Sequence, residues 1–91
     1  MDTIREFILE LNNDAHLLPP DTDSALLGVA QRWGRPQVPC YDYEACVKIL
    51  TDRGMSRVQA DEHMMFDLMR NVLLHEDQQP VFITRLWGRT P

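Results

Sequence analysis

The sequence predicts a small α+β domain with the element order α-β-β-α-α-β, in which a small antiparallel sheet packs against helices. Three observations predict it. Apolar residues recur at the helical period in two segments, around residues 3–12 and 58–73. Two helix starts are signalled in the middle of the chain, by Asp42 ahead of an apolar run and by the pair Ser56 and Gln59. Residues 81–87 include Val, Phe, Ile and Thr in succession, which is strand composition. At 91 residues the chain suits a single domain, 1–91, with one modest core.

The first helix spans residues 3–12, within an acidic amphipathic segment, 1–13. Ile4, Phe7, Ile8 and Leu11 fall at i, i+3, i+4 and i+7 and make one apolar face. Asp2 can cap this helix, and Asn12, Asn13 and Asp14 can end it. Residues 14–24 form a connection that Pro19 and Pro20 should make stiff and extended. The α+β core then occupies 25–87. Residues 24–34 read two ways. Leu26, Val29, Ala30 and Trp33 would line a helix face with Asp23 as its cap. Leu27, Val29 and Trp33 would instead share one side of a strand, and Gly28 would cost a helix interior about 1 kcal/mol. After a strand, Gly34, Arg35 and Pro36 would turn the chain. Residues 37–40 would then run back, with Pro39 confining that second strand to an edge or a short ladder.

The second helix starts at Tyr41 and Asp42, with Asp42 as N-cap. Tyr43, Cys46, Ile49 and Leu50 form its apolar stripe, and Gly54 ends it. Ser56 caps the third helix, and Gln59 completes a capping box. Val58, Met65, Met69 and Val72 line the expected buried face, widened by Phe66, Leu68 and Leu73. Residues 75–80 close the helix before the last strand.

Hydrophobic residues make up 44% of the chain and charged residues 25%, a globular composition. Apolar runs are only a few residues long, so no membrane span is expected. The N-terminus carries acids where a secretory leader needs bases, so the expected location is the cytoplasm. Cys40 and Cys46 lack CxxC spacing and read as two small buried apolar residues. The net charge of −5 is uneven. Residues 1–23 hold six acids against one base, whereas residues 24–91 balance eight against eight. The acidic sign argues against direct nucleic-acid binding.

Five short stretches share a pattern: Gly28-Val29-Ala30-Gln31-Arg32, Tyr41-Asp42, Gly54-Met55-Ser56, the helical set Ala60, Glu62 and Phe66, and Pro80-Val81-Phe82. On these, residues 25–84 resemble a group of small uncharacterised proteins of bacteriophages and bacterial genomes. The first helix lies outside the resemblance. Asp67 stands where the pattern has Asn, and His75-Glu76-Asp77-Gln78-Gln79 replaces a Gly-rich connection. The resemblance implies a strand for residues 24–34, and it implies ancestry in a mobile element, with the host cytoplasm as location. It carries no activity with it.

The candidate sites follow from charge and spacing. Asp2, Glu6 and Glu10 recur every four residues, so their carboxylates rise in steps of about 6 Å along one helix face. Such a row suits an Arg-rich partner surface, and an ordinary solvated face would look the same. Met64, among Met55, Met65 and Met69, suits an adaptable docking surface or a core. Arg32, Arg35, Arg85 and Arg89 could gather to hold a nucleotide-like anion in a homo-oligomer. Glu62, at the edge of the apolar stripe, calls for a partner such as Tyr41, Tyr43 or Arg57, as an acid or base or as a tie between helices. His63 and Asp67 lie one turn apart, but a metal needs further ligands. No Ser-His-Asp motif, phosphate loop or CxxC pair is present. The expectation is a non-enzymatic interaction protein without cofactor or metal. It would bind a host or anti-phage defence protein through the first helix and exposed parts of the third, with Asp2, Glu6, Glu10 and Met64 as protein-binding residues. The alternative is the arginine-based anion binder.

Overall fold

The computed structural model describes residues 3–71 and 77–86, residues 67–71 by their backbone alone. Its strands are β1 (Leu26–Ala30), β2 (Val38–Asp42) and β3 (Val81–Ile83), side by side in that order. β1 and β2 are antiparallel, while β2 and β3 are parallel. The sheet is therefore mixed, which corrects the wholly antiparallel sheet expected above. A parallel neighbour needs a long crossover, and the two helices between β2 and β3 provide it.

Pro39 stands in the central strand rather than on an edge. Its missing N–H is tolerated because the ladder to β3 begins one residue later, at Cys40, so that ladder is short as expected. The strand reading of residues 24–34 holds, with a change of phase. The register slips between Leu26 and Gly28, and Gly28 adopts φ +155°, a conformation rare for residues with side chains. The slip buries Leu26, leaves Leu27 exposed, and ends the strand before Trp33.

Successive strand residues point to opposite faces. Val29, Tyr41 and Phe82 share the core face, and the Tyr41 and Phe82 rings stack with centroids 5.7 Å apart. Tyr41 is fully buried, and its Oη accepts the Leu18 N–H at 2.9 Å. Burial pushes its phenol above the ordinary range. The opposite face carries Val38, Cys40, Val81 and Ile83, which stay outside the core cluster.

The helices are α1 (Ile4–Leu11), α2 (Tyr43–Asp52) and α3 (Arg57–Asn71). Thr3 caps α1, its Oγ1 accepting the Glu6 N–H at 3.1 Å, in place of Asp2, which lies outside the described residues. Only Ile8 of α1 is fully buried, and it joins the same core as Tyr41, Cys46, Leu50, Ala60 and Met64. The connection after α1 is not wholly extended: Pro20–Ala25 wind into a short 3-10 helix, with Pro20 at its start, where a missing N–H costs nothing. Asp42 caps α2 by accepting the Ala45 N–H at 3.3 Å. At the other end Gly54 takes φ +103°, its N–H bonds Thr51 O at 3.0 Å, and the Met55 N–H bonds Leu50 O at 3.3 Å. This is a Schellman ending, which requires a left-handed residue at that point. The capping box of α3 is present in both directions, Gln59 N–H to Ser56 Oγ at 3.1 Å and Ser56 N–H to Gln59 Oε1 at 2.9 Å. No helix among the described residues is long and apolar enough to cross a membrane.

Candidate functional site

α3 carries the most unusual surface. Among its described side chains the buried ones are Ala60 and Met64, one turn apart. Val58, Met65 and Phe66, expected to be buried, are 66%, 62% and 67% exposed. The side chains of Met69 and Leu68, and all of Val72 and Leu73, lie outside the described residues. Met64, read above as a protein-binding residue, is 3% exposed and belongs to the core. The helix is thus rotated from the phase its apolar residues suggest.

Polar pairing between α2 and α3 accompanies that rotation. Tyr43 of α2 donates its hydroxyl to Asp61 Oδ1 at 2.8 Å. Arg57 bonds Asp61 through Nε at 3.0 Å and reaches back to Glu44 with both terminal nitrogens, at 2.9 and 3.2 Å. The fork geometry suits bidentate carboxylate binding. These hydrogen bonds lower the Asp61 carboxyl from its ordinary value, Arg57 first and Tyr43 second. Desolvation, and then Asp61, push the Tyr43 phenol up. The tie between α3 and α2 expected of Glu62 therefore belongs to its neighbour, and Glu62 itself is exposed. Ala60 could have signalled the true phase, since a small residue lets two helices approach.

The acidic row of α1 is half visible. Glu6 and Glu10 are exposed, and Asp2 lies outside the described residues. Arg5, the one base of the segment, turns to the core side, where Nη1 bonds Asp23 Oδ1 at 2.7 Å and Leu18 O at 2.8 Å. Arg5 is thereby engaged away from the exposed Glu6 and Glu10.

Three of the four arginines of the anion reading, Arg32, Arg35 and Arg85, lie among the described residues. Arg35 pairs with Asp77 at 2.7 Å, and Arg85 pairs with the buried carboxylate of Asp42 at 2.9 Å. Arg32 is exposed near the turn after β1, and Arg89 lies outside the described residues. His63 is exposed on α3, and the side chain of Asp67 is outside the description.

Two features were missed from sequence. Trp33 is 100% exposed, in the turn between β1 and β2, beside a depression lined by Gln31 and Trp33. The Gly34 that follows it, with φ +73°, was the available sign of a turn rather than a strand. Asn12 is a buried clasp. Its Nδ2 donates to Gln37 O at 2.9 Å and Asp77 O at 2.8 Å, while its Oδ1 accepts the Asp14 N–H at 3.1 Å. No spacing rule announces such an amide, because its partners lie 25 and 65 residues away.

No family model matches the chain, and no curated protein or solved structure matches it.

Proposed function

We propose that this chain is a small non-enzymatic interaction protein of phage type. It binds a host or anti-phage defence protein through the acidic outer face of α1 and the outward stripe of α3. The supporting observation is that Val58, Met65 and Phe66 stand about two-thirds exposed on a helix whose inner face is already packed. Large apolar side chains grouped on one outer face mark association surfaces, whereas single ones are ordinary. Met adapts its shape to a partner, and aromatic residues anchor interfaces. The carboxylates of α1 add an acidic field for steering a basic partner.

The test is affinity capture from host lysate, followed by binding kinetics of the captured protein. Replacing Met65 and Phe66 together by Gln should speed dissociation, since buried anchors act mainly on the off-rate. Replacing Glu6 and Glu10 by Gln should slow association and flatten its salt dependence. Capture of a partner indifferent to both double variants would remove this reading.

A further inference from the structure

We propose that residues 77–85 form a strap along the edge of β2, latched at both ends, which opens as one unit while the rest of the fold stays closed. Polar groups make the latches. At the leading end Asn12 Nδ2 donates to Asp77 O at 2.8 Å, the His16 N–H donates to Gln78 O at 2.9 Å, and Arg35 Nε donates to Asp77 Oδ1 at 2.7 Å. At the trailing end Arg85 Nε reaches the buried carboxylate of Asp42 at 2.9 Å. All four holders, Asn12, His16, Arg35 and Asp42, belong to the N-terminal half of the chain. Between the latches β3 makes a parallel ladder of three residues with Cys40, Tyr41 and Asp42.

The stretch between the latches is lightly held. Val81 and Ile83 are exposed, and Phe82 is half-buried where it stacks on Tyr41. Pro80 is buried, but among the described residues the fully buried members of the core cluster all fall between Ile8 and Met64. Parallel pairing is slightly weaker per residue than antiparallel pairing, and β3 is an edge strand. The ion pairs are partly exposed, so each adds little by itself. A segment with few buried apolar contacts opens locally, at less cost than global unfolding. Detachment leaves β2 paired with β1 on its other side and leaves the Ile8–Met64 cluster in place. It bares the backbone edge of Cys40–Asp42 and the ring of Tyr41, which is fully buried in the closed form. The strap thus gates an edge of the central strand, and a bared strand edge can accept an added strand.

The experiment is amide exchange of the whole chain, resolved by segment and repeated at several sub-denaturing urea concentrations. Amides of residues 77–83 should exchange together, faster than those of α2 and with a smaller urea dependence, the mark of a local opening. Arg85→Ala and Arg35→Ala, one at each latch, should each speed exchange in 77–83 about 5-fold and leave α2 unchanged. Cys40 stands opposite Val81 in the ladder, so its labelling by a thiol reagent should quicken in the same variants while that of the buried Cys46 does not. The unmodified chain is decisive even where a variant fails to fold. Equal exchange and equal urea dependence in 77–83 and α2 would overturn the proposal. So would latch variants that speed both segments alike, or Cys40 labelling indifferent to either latch.

Discussion

Asn12 carries more stability than its place at a helix end suggests. It is 9% exposed, and its amide serves two carbonyls and one N–H from three segments of the chain. Truncation to Ala leaves Gln37 O and Asp77 O without that donor in a partly buried site. Each orphaned group costs about 1–3 kcal/mol. Asn12→Ala should therefore lower the urea midpoint by the equivalent of about 2 kcal/mol or more. Glu10→Gln, two residues away on the exposed face, should stay within about 0.5 kcal/mol. Equal midpoints for the two variants would show that the clasp contributes nothing. The capping residues at this scale were legible in advance. Asp42, Ser56, Gln59 and Gly54 act where the sequence places them, because a cap bonds groups two to five residues away. Asn12 was legible only as a helix terminator, because its partners are remote.

At the scale of elements, the orientation of α3 decides two outcomes. Met64→Ala removes a core side chain and should cost about 2–5 kcal/mol. Phe66→Gln, two residues on but outward, should change the denaturation midpoint by about 0.5 kcal/mol or less. The reverse order would put α3 back in the phase its apolar spacing suggests. The tie to α2 adds a dependence on pH. Asp61 titrates below its ordinary value of 3.8 in the folded chain, through its hydrogen bonds to Arg57 and Tyr43. A carboxylate depressed on folding stabilises fully above its unfolded value, and that stability is lost as pH falls through the folded value. Acid titration of the unfolding midpoint below about pH 4 should thus fall less steeply in Asp61→Asn than in the unmodified chain. Parallel curves for the two proteins would show that the Tyr43–Asp61–Arg57 group is not formed. Sequence spacing located this tie to within one residue. It points to Glu62 when the Val58, Met65 and Phe66 stripe is read as the buried one.

At the scale of the whole molecule, Cys46 reports on the integrity of the core. It is 1% exposed, among Tyr41, Val47, Leu50 and Met64. Cys40 lies on the opposite face of the sheet, half-buried, and burial pushes its thiol up. A thiol reagent at neutral pH should therefore modify Cys40 slowly in the native chain. Cys46 should react only at the rate of global opening and should speed up with Met64→Ala. Mass-resolved labelling that modifies both cysteines together would mean that the core cluster is open. The sheet itself is a result at this scale. β3 joins β2 in parallel after the α2–α3 crossover, and nothing in residues 81–83 themselves distinguishes a parallel from an antiparallel partner.

The sequence by itself determined the α+β class, the order of the elements, the caps of α2 and α3, and the acidity of the first segment. Each of these depends on residues within about one helical turn or on a sum over the chain, so local chemistry suffices. Only the tertiary structure decided which face of α3 is buried, which carboxylate ties it to α2, and that Met64 is core while Phe66 faces out. It also decided that Trp33 stands clear of the sheet and that Arg35 and Arg85 pair with Asp77 and Asp42. These outcomes depend on partners distant along the chain. Apolar spacing alone did not choose among the faces of α3. Close packing at Ala60 and Met64 selects one of them, and the Tyr43, Asp61, Arg57 and Glu44 hydrogen bonds, which lie toward the surface, hold α3 to α2 in that phase.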